Sequence, residues 1–143
     1  MKPIIQKIDS NNLDLLRSFI DSLGVETETF RYFKSRELSV INNHLLTILL
    51  LVDGEPVGYG HLDIDGDKVW LGIVVKNDFR GKGLGTKIME ELIKQAKALN
   101  VKELSLTVDT NNDSAIGLYE RFGFKLIKVE GGHKLYSLIL NQK

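Results

Sequence analysis

The sequence predicts an α/β fold of the α+β kind: a mixed, mostly antiparallel central sheet flanked by helices, in one domain over residues 1–143. Three observations predict it. Apolar runs at 45–52, 57–64 and 68–75 follow one another at hairpin spacing, with Asp53-Gly54 and Asp65-Gly66 between them. The period then turns helical over 84–99, where Leu84, Ile88, Leu92, Ala96 and Leu99 make one apolar stripe. A strand-like segment, Leu104–Val108, comes next. A strand, a helix and a strand in that order predict a parallel pair with a right-handed crossover, set in a sheet that is otherwise antiparallel.

The elements follow in chain order. Pro3–Ile8 reads as a first strand. A helix follows, with Ser10, Asn11 or Asn12 as its cap, Leu13, Leu16, Ile20 and Leu23 at helical spacing, and Gly24 at its end. The aromatic stretch Thr29–Leu38 reads as a second helix, capped by Thr27 or Thr29. The three hairpin strands come next, then the long helix, with Asn100 as its C-terminal cap. Ser114–Phe122 is a short helix ended by Gly123. Phe124–Ile127 and Leu135–Leu140 close the sheet around Gly131-Gly132.

Composition narrows the function. The 143 residues hold 43% hydrophobic side chains, enough for a core without staples, and no cysteine. Disulfides, thiolate metal sites and cysteine nucleophiles are therefore excluded. Lys+Arg and Asp+Glu are equal at 19 each, which argues against a dedicated nucleic-acid binder. The three histidines are scattered without metal-ligand spacing, so no metal is expected. The first residues are too polar for a secretory leader, and the longest apolar run falls well short of the ~20 residues that span a bilayer. A cytoplasmic enzyme with no membrane partner is the expectation.

The strongest chemical signal is Arg80-Gly81-Lys82-Gly83-Leu84-Gly85-Thr86, between the third hairpin strand and the long helix. N–H groups at a helix start have no intrahelical partner, glycines let an anion approach the backbone, and the helix dipole favours negative charge. The loop reads as a phosphate or pyrophosphate cradle, with Arg80 and Lys82 adding positive charge. Its glycine spacing fits neither a P-loop nor a dinucleotide fingerprint.

Arg80-x-x-Gly83-x-Gly85 matches the Gln/Arg-x-x-Gly-x-Gly/Ala motif of the GNAT superfamily of N-acetyltransferases. Downstream, Asn112-Asp113-Ser114-Ala115-Ile116-Gly117-Leu118-Tyr119-Glu120-Arg121-Phe122-Gly123-Phe124 resembles that superfamily's Asn-x-x-Ala-x-x-Leu-Tyr-x-x-x-Gly-Phe signature. The resemblance covers roughly residues 45–140, and residues 1–44 share only the strand–helix–helix plan. It implies a GNAT fold and transfer of an acetyl group from acetyl-CoA to a primary amine. The amides of Gly81, Lys82, Gly83, Leu84, Gly85 and Thr86 would hold the coenzyme A pyrophosphate. The strand 71–75 would splay from Leu104–Val108, and Ile73 and Val75 would pair with the pantetheine arm as an added strand. Gly72 would mark a bulge there, or simply allow close packing against an aromatic ring. Asn112 and Ala115 would lie near the cofactor arm, with Asn112 also suited to cap the helix.

Without a cysteine or a Ser-His-Asp arrangement, direct attack by the amine in a ternary complex is the simplest chemistry. By the resemblance, Tyr119 sits near the sulfur and protonates the thiolate. The amide of Val74 or Val75 would polarise the thioester carbonyl. Tyr59, His61 and Asp63 share one strand face by alternation, so His61 is the candidate base, with a water relay as the alternative. The hairpin strand before the loop offers no carboxylate. Phe30, Arg31 and Tyr32 are the candidate acceptor-binding residues. The segment around them faintly resembles acetyltransferases of amino sugars, so a small amine, with an amino sugar foremost, is the expected acceptor. A protein Nα or lysine acetyltransferase and a non-catalytic coenzyme A-binding module are the alternatives. A homodimer is left open, with Leu135–Leu140 as an edge strand, or a helix face, for its contact.

Overall fold

The computed structural model describes residues 2–140. Seven strands make one sheet in the order β1-β2-β3-β4-β5-β7-β6. They are β1 (Pro3–Lys7), β2 (His44–Val52), β3 (Glu55–Asp65), β4 (Lys68–Val75), β5 (Glu103–Asp109), β6 (Lys125–Glu130) and β7 (His133–Ile139). The helices are α1 (Leu13–Asp21), α2 (Leu84–Ala98) and α3 (Asp113–Arg121). β4 and β5 form the parallel pair, and the other neighbours are antiparallel. The expected mixed, mostly antiparallel sheet flanked by helices is what the chain forms.

The β2–β3 hairpin turns on Asp53 and Gly54, both at positive φ (52° and 82°), which matches the sheet twist. At the β3–β4 turn Asp65 pairs with Lys68, so Gly66 and Asp67 are the central residues, and Gly66 takes the positive φ. Asn100 stands left-handed (φ 61°) just past α2, as its capping role requires.

Helix α2 lies close against β3. A Cβ at Gly58 or Gly60 would come within 2.7 Å of the Ile88 side chain, so these two glycines let the helix settle on the sheet. Ile88, Met89, Leu92 and Ala96 pack there with Leu50, Leu62, Leu71, Leu104 and Leu106. The opposite face carries Leu16 and Phe19 of α1 against Leu49, Tyr59 and Val74. The seating of α2 fixes its N-terminus at the end of β4, where the glycine loop opens.

Four expectations are corrected. Thr29–Leu38 is not a helix: two 3₁₀ turns, Val25–Glu28 and Leu38–Asn43, bracket an irregular segment. Its aromatics are pulled apart by separate partners. Phe30 and Phe33 pack on Tyr59 (ring centroids 5.4 and 5.6 Å), whereas Tyr32 lies over His61 (4.5 Å). The hydroxyls of Thr27 and Thr29 turn back to the carbonyls of Gly24 and Glu26 instead of capping a following helix. Helix α1 ends earlier than Gly24, at Asp21, where the Ser22 hydroxyl bonds the Phe19 carbonyl (2.6 Å). The strand expected as an edge at Leu135–Leu140 is β7, which is interior; the sheet ends at β6 on that side and at β1 on the other. Finally, Gly72 marks no bulge in the β3–β4 ladder, whose register runs unbroken through His61 opposite Gly72.

Candidate active site

β4 and β5 meet at one pair, Trp70 opposite Ser105, and then part. β4 continues five residues further, paired to β3 alone. The N–H of Lys76 donates to the Val57 carbonyl (2.8 Å), which sets the phase of the β3–β4 ladder. Alternate residues face alternate neighbours, so Val74 bonds toward β3, Leu71 faces β5 at the last bridge, and Ile73 and Val75 turn their N–H and C=O groups into the gap. Of the two amides expected to polarise a carbonyl, Val75's faces the cleft and Val74's is used within the sheet.

The gap leads to the glycine loop. Gly81 and Gly83 have φ of 76° and 78°, and a Cβ at either would meet nothing within 4 Å. Gly83 precedes α2 with no side-chain cap, and the first helical bond is Lys87 N–H to the Gly83 carbonyl. The N–H groups of Gly81, Lys82 and Gly83 find no acceptor among the described residues. Those of Leu84, Gly85 and Thr86 lie in the first turn and lack an i−4 partner. Six consecutive residues with N–H groups to spare thus stand at the positive end of a 15-residue helix, next in sequence to Arg80. Gly85 lies close to Leu118 of α3: an added Cβ would stand 3.4 Å from Cδ2.

A cavity of about 860 Å³ runs from this loop through the splay to the N-terminal segment. Its wall includes Phe30, Arg31, Tyr32, His61, Ile73, Val74, Val75, Arg80, Gly81, Gly83, Leu84, Gly85, Thr86, Asn112, Ala115 and Tyr119. The structure therefore brings together every side chain expected at the site except Lys82, whose ammonium lies 5.8 Å over the Phe79 ring. Asn112 caps α3, its side-chain oxygen accepting from Ala115 N–H (3.3 Å). Tyr119 is 6% exposed, and its hydroxyl has no partner among the described residues. No fully enclosed side-chain nitrogen or oxygen lacks a partner there, so this hydroxyl opens into the cavity. Burial raises the phenol's pKa well above its ordinary value, which keeps it a protonated donor.

The acceptor wall is a polar cluster on β3 and the N-terminal segment. Tyr59 hydroxyl and His61 Nδ1 are 2.6 Å apart. Tyr32 hydroxyl donates to Asp63 (2.8 Å) and also meets His44 Nε2 (2.7 Å), while His44 Nδ1 meets the Thr47 hydroxyl (2.8 Å). Burial lowers the pKa of both imidazoles, His61 most; the Asp63 carboxylate partly offsets this at His44, while Arg36 adds to it at both, and His44 adds to it at His61. The Arg36 guanidinium sits 4.2 Å over the Tyr32 ring. Gly72 makes room for His61: a Cβ there would lie 2.5 Å from its Nε2. Arg31 lines the cavity with its charge already paired to Asp109 (3.0 and 3.4 Å), which His133 also contacts (3.3 Å).

Sequence reasoning missed Trp70, Arg36 and Asp109 on the wall, and Glu26 beneath it. Glu26 is 5% exposed, and its carboxylate accepts from Gly24 N–H (2.7 Å) and Asn77 N–H (2.6 Å). Burial alone would raise its pKa, but these donors, with Arg80 nearby, bring it below its ordinary value. Only the alternation that put Asp63 beside His61 was a signal for the rest of the wall. Among the described residues no group of three or more His, Asp or Glu is placed to hold a metal, and no helix is long and apolar enough to cross a membrane.

A splayed parallel pair leading to a main-chain anion cradle defines a class, the acyl-CoA-dependent transferase architecture. Residues 13–124 match the model of the acetyltransferase (GNAT) family, and the chain belongs to that family. It is 28% identical over 123 residues to the spermine/spermidine N(1)-acetyltransferase of Bacillus subtilis, covering 76% of this chain and 81% of that one. It is 35% identical over 54 residues to an L-methionine sulfoximine/L-methionine sulfone acetyltransferase of Pseudomonas paraeruginosa; this match covers 38% of the chain and less than a third (31%) of that relative. Its fold matches the PaiA N-acetyltransferase of Thermoplasma acidophilum, solved in complex with coenzyme A, with a TM-score of 0.76 and 20% identity over 97% of this chain and 99% of that one.

Proposed function

We propose that residues 1–143 form a single cytoplasmic N-acetyltransferase domain that moves an acetyl group from acetyl-CoA to the primary amine of a small molecule by direct attack in a ternary complex. The observation that carries this reading is the junction of three features in one cavity: the free edge of β4, the donor-lined loop Gly81–Thr86 and the open hydroxyl of Tyr119. The site fits the cofactor because its donors are main-chain and its glycines leave the approach clear. The cofactor supplies an activated thioester. The loop amides and Arg80 bind the diphosphate, Ile73 and Val75 align the arm, the Val75 amide faces the carbonyl position, and Tyr119 holds a proton for the leaving sulfur. His61 and Asp63 stand on the acceptor side. Phe30 is occupied in packing and Arg31 in its ion pair, so an amino sugar is retained as an acceptor for its amine and oxygens, not for a phosphate grip.

The test joins thermal stability to thiol release. Coenzyme A at 100 times its Kd should stabilise the fold by ~2.7 kcal/mol. Acetyl-CoA with a panel of amino sugars, amino alcohols, polyamines and basic peptides should release thiol with a small amine. Stabilisation with no turnover on any amine would favour a binding module instead, and turnover confined to peptides would favour protein acetylation.

For assembly, β6 is the edge along which a second copy pairs. Antiparallel self-pairing sets Lys125 against Glu130 and Leu126 against Val129. The register shift around Ile127 turns each of these pairs to one common face. Leu126, Ile127 and Val129 are 48–58% exposed, a larger apolar strip than an edge strand ordinarily leaves in water.

A further inference from the structure

The two hydrogen-bonded chains of the acceptor wall can each be followed proton by proton. Tyr59 has no exposed surface, and the partner of its hydroxyl is His61 Nδ1, at 2.6 Å. A phenol has one hydrogen to donate, and a buried donor left unmet is costly. The hydroxyl hydrogen therefore points to Nδ1, which must accept it. Burial, with His44 and Arg36 nearby, keeps His61 neutral at physiological pH, so its single ring proton sits on Nε2. That nitrogen has no acceptor among the described residues, yet no fully enclosed one is unmet there, and His61 lines the cavity. A residue that is 3% exposed thus presents one N–H to the cavity, with the same ring edge packed against Gly72.

The second chain runs the opposite way. Ionised Asp63 has no hydrogen, so Tyr32 donates to it. The Tyr32 oxygen then accepts from His44 Nε2–H, and His44 Nδ1 accepts from the Thr47 hydroxyl. All the donors align toward Asp63, whose side chain is 20% exposed and lines the same cavity. Its second oxygen has no closer partner than His44 Nε2, at 3.9 Å. Asp63 and His61 lie two residues apart on one strand face, about 7 Å along the strand.

We propose that these two groups form a paired acceptor subsite, in which Asp63 binds the ammonium of the incoming amine and the Nε2–H of His61 donates to an oxygen on the same molecule. The subsite selects amines that carry a hydroxyl or carbonyl oxygen near the nitrogen, such as amino sugars and amino alcohols, over amines with none, such as polyamines. It makes His61 a hydrogen-bond donor and not the base: the bound ammonium gives up one proton, carried by water to bulk solvent, and the neutral amine so formed attacks. This deepens the acetyltransferase reading and rests on it, but its first test does not.

Long-range ¹⁵N–¹H spectra of the ¹⁵N-histidine protein report which ring nitrogen of His61 carries the proton. The expected result is Nε2–H in the free protein, with glucosamine shifting the His61 signals and spermidine leaving them in place, in the absence of any acetyl donor. A proton on Nδ1, or an equal shift with spermidine, overturns the proposal even if the enzyme is active. With acetyl-CoA present, kcat/KM should favour glucosamine over spermidine. The ratio should fall about tenfold in His61→Ala, the loss of about 1.4 kcal/mol from one hydrogen bond, and be kept in His61→Gln, which retains an N–H donor. Asp63→Asn should raise KM for both amines. Absence of thiol release with every amine, alongside the expected spectra, would sink the transferase reading and leave the subsite standing as a binding site. A ratio unmoved in His61→Ala would overturn the subsite and leave the transferase reading intact.

Discussion

Replacing Gly72 with alanine tests the packing that holds His61 in place. The new Cβ would stand 2.5 Å from Nε2 and 2.6 Å from Cε1, where ordinary contact is 3.4 Å or more. The ring would have to retreat by about 0.9 Å. Its Nδ1 is held to Tyr59 at 2.6 Å, so a retreat of that size takes the bond to the limit of hydrogen-bond geometry. Overpacking costs ~1–3 kcal/mol, and an unmet buried hydroxyl costs a similar amount. We expect a total loss of about 2–6 kcal/mol. Each kcal/mol lowers Tm by roughly 3 °C in a chain this long, so the melt should shift by roughly 6–18 °C. Circular dichroism melts read the shift, with Gly132→Ala as the control, since nothing lies within 4 Å of a Cβ there. The decisive comparison is the double mutant with His61→Ala. Removing the ring should relieve the overlap, so the two changes should couple by roughly 1–3 kcal/mol in the favourable sense. A Gly72→Ala protein that melts with wild type, or a cost unchanged without His61, would refute the reasoning.

Three more outcomes are expected. Tyr119→Phe should keep the fold and lower kcat by about 10²-fold in single-turnover assays where chemistry is limiting; an unchanged rate there removes the proton from Tyr119. Stability should fall on acidification in two stages. His61 and His44 have folded pKa values below the ordinary 6.5, so the stability they contribute is whole above that pH and declines as pH drops beneath it. Glu26, also depressed, keeps its contribution above pH 4.5 and loses it as pH falls through its folded value, so Glu26→Gln should flatten that lower limb in pH-dependent urea melts. Finally, sedimentation equilibrium should give a dimer for the wild-type chain and a monomer for Val129→Lys, and a wild-type monomer at high concentration would dispose of the β6 pairing.

What could be read in advance follows the range of the forces involved. The hairpins were legible because Asp53-Gly54 and the strand alternation act over a few residues. So was the start of α2 behind a glycine loop, because glycines ahead of Leu84 and a polar–apolar stripe declare a helix start. The irregular path of residues 29–37 was not legible. Phe30-Arg31-Tyr32-Phe33 reads as helical until the partners of each ring are known, and those partners, Tyr59, His44, His61 and Asp63, come from strands farther along the chain. The interior place of β7 was hidden likewise, since Leu135–Leu140 and 125–130 are both short and apolar, and only the pairing of β7 with β5 decides which one ends the sheet. Gly72 was visible as an oddity inside a strand, but its reason, the imidazole opposite, lies in the pairing register. Glu26 gave no sign of its reach across the fold, because that donor, Asn77, is 51 positions away.

The parting of β4 from β5 after Trp70 has one more consequence. An unsatisfied strand border facing outward invites any stray polypeptide to zip onto it. Here the bare stretch of β4 lies inside the sheet, across a gap from β5, and not at the sheet's outer border, so a strand from another molecule meets no such invitation there.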